Sequence, residues 1–280
     1  MSVDVEAPAE LAALAGRRAV ITGVSSGLGR ALAMLFVSRG ADVVGIARRR
    51  EECERISEDL AGAPGRFRFE IGTVVSPEDC GRTAKTCIDA FGGADILVNN
   101  AGSIGSDAIR PLSDIPPAAF DDVIDVNFRG AANMCRVILP LMLAQRDGVV
   151  INVASQAAIW GLDGFGAYSA AKAAMDSLSR TVAVEGWSLG VRANSIILGP
   201  MKSDTGQAAM AGVSTSVDAV ASSQRPTLAI DAAPIAQSIA ALCLPSARMI
   251  TGASIPIDQA LSAGSAMTRL LKAMASGTAV

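Results

Sequence analysis

The chain has 280 residues, half of them apolar and 18% charged, with a formal net charge of −3. That composition supplies a large core and excludes a disordered or strongly basic protein, and nothing along the chain resembles a nucleic-acid-binding surface. With no histidine and five scattered cysteines, it also excludes a His-based zinc site, a Ser-His hydrolase and a disulfide framework. Cys53, Cys80, Cys87, Cys135 and Cys243 read as reduced thiols, which suits a cytoplasmic enzyme.

Residues 1–16 read as a loose leader without a signal-peptide pattern. No apolar run reaches membrane-spanning length, so no membrane segment is expected. Arg18 to Thr22 is a short β-branched strand. It runs into Thr22-Gly23-Val24-Ser25-Ser26-Gly27-Leu28-Gly29, followed by a helix to Arg39. A strand, a glycine-rich turn and a helix form a phosphate cradle: glycines let the backbone approach a pyrophosphate, and the helix N-terminus offers unpaired amides. A tight turn with no ligand would look similar. Strands follow at Asp42 to Ile46, ending in Ala47, then at Phe67 to Ile71. Ser76-Pro77-Glu78-Asp79 is a helix start with a capping hydroxyl, an early proline and acids near the positive end; that helix runs to about Phe91.

Ile96 to Val98 is the fourth strand, closed by Asn99-Asn100-Ala101-Gly102. A long helix is expected from Pro117 to Leu143, with Asn127 in its interior. Asn is a modest helix former, so its place there needs a reason. Gly148 to Val153 is the fifth strand, ending in Ala154-Ser155. A helix from Tyr168 to about Leu189, a strand at Val191 to Leu198, a helix at Pro234 to Leu244 and a last strand at Ser254 to Ile257 complete the pattern. Seven strands alternating with helices predict an α/β fold. It is a single domain with a doubly wound parallel sheet and helices on both faces. Met267, Leu270, Leu271 and Met274 lie at helical spacing in the 263–280 tail and read as packing.

Tyr168 is the chain's only tyrosine, and Lys172 lies four residues on, on the same helix face. A free phenol has a pKa of about 10. A neighbouring cation favours the phenolate, so Tyr168 is a candidate general acid or base. Ser155 stands at a strand's carboxyl end, where doubly wound sheets bind ligands, and can donate to a substrate oxygen.

The Gly-x-x-x-Gly-x-Gly turn together with Tyr168-Ser169-Ala170-Ala171-Lys172 resembles the short-chain dehydrogenase/reductase family over about residues 16–260. The resemblance implies a strand order of 3-2-1-4-5-6-7 and a nicotinamide cofactor held by Gly23, Ser25, Ser26, Gly27, Leu28 and Gly29. Asn100, Ala101 and Gly102 would line that cofactor, as would the Gly199-Pro200-Met201-Lys202-Ser203 turn through Gly199, Met201 and Ser203. In the family an acid at the end of the second strand binds the 2′-hydroxyl of NAD. Ala47 leaves that place vacant, and Arg48 follows with geometry suited to a 2′-phosphate. NADP(H) is therefore expected over NAD(H). Thr73 and Val74 would meet the adenine end of the cofactor, with Thr73 in place of the family's adenine-contacting Asp, a departure that puts that one contact in question.

By the same resemblance Ser155, Tyr168 and Lys172 are catalytic, with Lys172 also on the nicotinamide ribose, and Asn127 holds a relay water through its backbone carbonyl at a local kink. The chemistry implied is reversible interconversion of a ketone and a secondary alcohol. A β-ketoacyl carrier-protein reductase, with Arg129 and Arg146 as docking residues, and a non-catalytic NADP(H)-binding sensor are the alternatives. The substrate is a small carbonyl or alcohol compound. Ala157, Ala158, Trp160 and the 204–230 loop are expected to shape an apolar pocket for it. The family's subunit interfaces imply a homo-oligomer, a dimer or tetramer. Asp258-Gln259-Ala260 replaces the family's Asp-Gly-Gly and leaves the last turn open.

Overall fold

The computed structural model describes residues 14–201 and 230–263. Seven strands form one parallel sheet in the order β3-β2-β1-β4-β5-β6-β7, the order the resemblance implies. They are β1 Arg18–Thr22, β2 Asp42–Ala47, β3 Phe67–Ile71, β4 Ile96–Asn99, β5 Gly148–Val153, β6 Val191–Leu198 and β7 Ser254–Ile257. Every residue of β5 and β6 is buried, as a sheet covered on both faces requires.

One face carries α1 Gly27–Ser38, α2 Arg50–Asp59 and α7 Ala232–Cys243. Leu32, Phe36, Ile56, Ile235 and Ile239 pack there against Ile21, Val43, Ile151 and Ile196. The other face carries α3 Pro77–Phe91, α4 Pro117–Ile124, α5 Gly130–Gln145 and α6 Gly166–Gly186. Met134, Ile138, Met142 and Val182 pack there on Val20, Val44, Leu97 and Val150. The helix α2 is only weakly marked in the sequence. It buries only Cys53 and Ile56, so its apolar pattern is thin.

The helix expected from Pro117 to Leu143 is interrupted. Residues Asp125–Arg129 form a π turn between α4 and α5. The start of α3 is as expected: the Ser76 hydroxyl accepts from the Asp79 amide at 3.2 Å, with Pro77 in the first turn. All five cysteines are free and buried. Burial pushes the thiols up, to about 11 for Cys80 and about 12 for Cys87, Cys135 and Cys243. Among the described residues no helix is long and apolar enough to cross a membrane, and no acid or cysteine cluster could hold a metal ion. The leader to residue 13, most of the 204–230 loop, Ser203 and the tail from 264 lie outside the described residues.

Candidate active site

The carboxyl ends of β1, β4, β5 and β6 gather the expected residues. Gly23 and Gly27 have φ of 73° and 51°, a region that side chains disfavour. A Cβ on Gly29 would lie 2.2 Å from the Gly23 carbonyl oxygen, so only glycine allows α1 to meet the loop. Among the described residues a Cβ on Gly27, by contrast, would meet only the Met201 methyl, at 3.9 Å. Ser26, at the N-cap of α1, is extended and gives no side-chain cap, so the first helical amides face the loop without a side-chain acceptor. Open space over Gly27 beside uncapped amides fits a pyrophosphate. The Leu28 side chain is buried in the core; only its backbone faces the cradle.

Thr22 and Asn100 fix β1 to β4 at this edge. The Thr22 hydroxyl accepts from the Asn100 and Ala101 amides at 2.9 and 2.8 Å, and the Asn100 side chain donates to the Thr22 carbonyl at 2.9 Å. Below them Asn99 donates to Asn152 at 2.8 Å, and Asn152 to Ser179 at 2.8 Å. This chain of amides joins two strands to α6. Gly199 donates to the Ile257 carbonyl at 3.1 Å, holding its turn against β7.

Arg48 is exposed at the end of β2. Its neighbour Arg49, not singled out in the sequence, donates to the Ser25 hydroxyl at 3.2 Å and the Ser25 carbonyl at 3.1 Å. Three arginines in a row gave no signal for which one turns back to the loop. The start of α2 at Arg50 decides it. Thr73 is spent locally: its hydroxyl accepts from Val75, and its amide donates to Asp79 at 2.8 Å. Val74 is buried against Gly130, whose Cβ would stand 2.4 Å from it. Its side chain is thus a packing group.

Tyr168 lies in the first turn of α6 and Lys172 one turn further. The ammonium sits 5.6 Å from the centroid of the phenol ring. Lys172 is 3% exposed and donates to the Val153 carbonyl at 2.8 Å. Burial lowers its pKa to about 8. Burial also raises the Tyr168 phenol, while a hydrogen bond from Ser155 acts the other way. The lowered phenol expected from the Tyr-Lys spacing is thus not what this geometry gives: desolvation of the phenolate outweighs the Ser155 hydrogen bond.

Ser155 stands two residues past the end of β5 and accepts from the Ala157 amide at 3.2 Å. Asn127 is wholly buried in the π turn. Its side chain donates to the Ser103 and Val123 carbonyls at 2.6 and 2.9 Å. A Cβ on Gly102 would come within 2.8 Å of the Asn127 side-chain oxygen and 3.4 Å of the Lys172 ammonium. Glycine there lets both groups approach the same stretch of backbone.

Around this site Ala157 is buried, and Ala158 and Trp160 are half-buried. The exposed apolar side chains Leu112, Ile159 and Leu162 stand near them in sequence or packing. Arg110 donates to the Gly164 carbonyl at 3.1 Å, tying the 110–112 segment to the entry of α6. The last turn, left open by the sequence, is built with Gln259 and Ala260 at φ of 54° and 63°. Asp258 accepts there from Gln156 and from the Ser262 amide, each at 2.8 Å. Arg129 pairs with Asp125, and Arg146 stands at the far end of α5, bonded to the Ser188 carbonyl. The sixteen residues of α5 separate them by about 24 Å, so the two arginines do not make one compact basic patch.

Comparisons with known proteins agree with this geometry. The family profile described as short chain dehydrogenase matches residues 17–213. A 3-oxoacyl-acyl-carrier-protein reductase of Vibrio cholerae is 31% identical over 245 residues, covering 88% of this chain and 97% of that protein. An NADPH-dependent pterin aldehyde reductase of Arabidopsis thaliana is 37% identical over 175 residues, 61% of this chain and 70% of that one. The crystal structure of levodione reductase superposes with a TM-score of 0.82 at 27% identity, covering 90% and 99% of the two chains. The chain belongs to the short chain dehydrogenase family and is an oxidoreductase that interconverts carbonyl and alcohol groups with a nicotinamide cofactor.

Proposed function

We propose that the chain reduces a small apolar ketone, or oxidises the matching secondary alcohol, with NADP(H) preferred over NAD(H), and that Tyr168 handles the proton. The observation that carries this reading is the convergence of Ser155, Tyr168 and Lys172 beside Gly102 and the glycine-rich cradle. The cofactor, when bound, supplies or accepts the hydride. The Ser155 hydroxyl donates to the substrate oxygen, and Tyr168 gives that oxygen its proton in reduction and takes it back in oxidation. Lys172 keeps a positive charge beside the phenol, offsets part of the burial that raises its pKa, and holds the nicotinamide ribose. Asn127 pins the 103 segment and offers its backbone carbonyl, in the π turn, to a relay water.

Gly23, Ser25, Ser26, Gly27, Gly29, Asn100, Ala101, Gly102, Gly199 and Met201 hold the cofactor, with Arg48 and Arg49 on a 2′-phosphate. The NADPH dependence named for the Arabidopsis relative supports that preference. Leu112, Ile159, Trp160 and Leu162 form the apolar mouth through which substrate enters. The catalytic unit spans 17–262, acts in the cytoplasm and assembles as a homotetramer. A carrier-protein substrate draws support from the Vibrio relative but not from Arg129 and Arg146.

Tyr168→Phe is expected to lower kcat by about a hundredfold to ten-thousandfold, the range for a lost general acid, while cofactor affinity measured by nicotinamide fluorescence stays unchanged. Full turnover in that variant overturns the assignment.

A further inference from the structure

At the opposite end of the sheet a cavity of about 370 Å³ opens among Arg17, Arg146, Asp147, Trp187, Arg192 and Arg248. These residues precede β1, flank β5, start or precede β6, and follow α7. The eight residues of β6 set this cavity about 26 Å from the nicotinamide end. Four guanidinium groups meet one carboxylate. Asp147 pairs with Arg17 at 2.6 Å. Among the described residues no acid pairs with Arg146, Arg192 or Arg248.

The placement of these charges is costly without a ligand. Arg192 is 8% exposed and bonds only neutral acceptors, the Ile250 and Leu242 carbonyls at 3.0 and 2.9 Å. Burial lowers its pKa, and the charge on Arg17 acts in the same direction while Cys243 and Asp147 act against it without reversing it. The Arg17 Nε is buried with no acceptor among the described residues. A buried donor left unmade costs about 1–3 kcal/mol, and like charges held together at low dielectric repel. A multiply charged anion would relieve both. Guanidinium forks match tetrahedral phosphate oxygens in pairs, and half-exposed Trp187 gives the cavity an aromatic wall for the organic part of a ligand.

We propose that this cavity binds a small phosphate ester carrying two or more negative charges, at a site separate from the cofactor cradle. The probe is inorganic pyrophosphate, titrated calorimetrically at low salt into the full-length chain saturated with NADP, with citrate as an equally charged carboxylate. One saturable site is expected, its affinity falling as salt rises. The Arg17→Gln/Arg248→Gln double variant should weaken it about tenfold or more, the loss expected for charge-assisted bonds. Arg48→Ala should leave it unchanged. Arg248 is exposed, so Arg248→Gln alone serves if the double variant misfolds. In a Trp160→Phe chain only Trp187 emits, and pyrophosphate should change that emission with the same midpoint. Absence of saturable binding, equal binding in the Arg248→Gln variant, loss of binding in Arg48→Ala, or tighter binding of citrate each overturns the proposal.

Discussion

Lys172 carries a charge that its surroundings resist. It is one turn from Tyr168, deep beneath the site, with Val153 its main hydrogen-bond partner, and burial brings its pKa from 10.5 down to about 8. Between those values the unfolded chain holds a proton that the folded chain has lost. Stability therefore rises with pH across that window, as the cost of the buried charge is removed. The unfolding free energy of the wild type minus that of Lys172→Met should increase by about 3 kcal/mol between pH 8 and 10.5, read by urea titration at a series of pH values. A flat difference would mean that the ammonium is solvated. The arginines after β2 invite a second test. Arg48→Ala and Arg49→Ala should each weaken NADPH binding by about tenfold to a hundredfold, the loss expected of a charge-assisted phosphate contact, and leave NADH binding as it was. Single residues were legible where chemistry is tied to spacing, as with Tyr168 and Lys172. They were not where direction matters: nothing in Arg48-Arg49-Arg50 says which guanidinium returns to Ser25, and Leu28 sits in the cofactor motif yet faces the core.

Elements were read best where their ends are marked. Ser76 and Pro77 announce α3, and the hydroxyl makes the cap they imply; Ser76→Ala should cost about 1 kcal/mol in thermal or urea unfolding. The break between α4 and α5 was hidden because apolar spacing runs through it. Only the family resemblance pointed to a kink at Asn127, and a π turn is a shift in backbone pairing that no side-chain pattern encodes. The turn after β7 is a further case. This chain lacks the family's two glycines there, yet Gln259 and Ala260 adopt positive φ. Such a conformation costs a residue with a Cβ about 1–2 kcal/mol. Ala260→Gly should therefore raise the melting temperature by about 2–4 °C, the shift expected for 1 kcal/mol in a domain of this size. A lower melting temperature would show that the turn is held by contacts glycine loses.

For the molecule as a whole, the alternation of strands and helices announced a covered parallel sheet, and the resemblance supplied its order. The lower cavity escaped sequence reading for a topological reason. Its four arginines lie far apart in the chain and meet only where strand beginnings converge, so a chain of slightly negative charge hides a cationic pocket. Assembly belongs to this scale too. Val184 and Met249 are 82% and 71% exposed, and among the described residues β7 pairs with β6 alone. Exposed apolar side chains and a sheet's edge strand are where the subunit contact of the proposed homo-oligomer is to be sought. Val184→Glu/Met249→Glu should lower the assembled mass in sedimentation equilibrium while the circular dichroism spectrum is kept; an unchanged mass would place the subunit contact elsewhere.

The burial of all five thiols has one more consequence. Substrates of a carbonyl-reducing enzyme include conjugated enones and aldehydes, which alkylate exposed cysteine and histidine. This chain has no histidine, and its thiols are shielded and strongly disposed to stay protonated, so thiolate and imidazole nucleophiles are missing from its surface. Prolonged turnover of an electrophilic substrate should leave the native protein's mass unaltered, whereas the same compound should add to the chain once urea opens it.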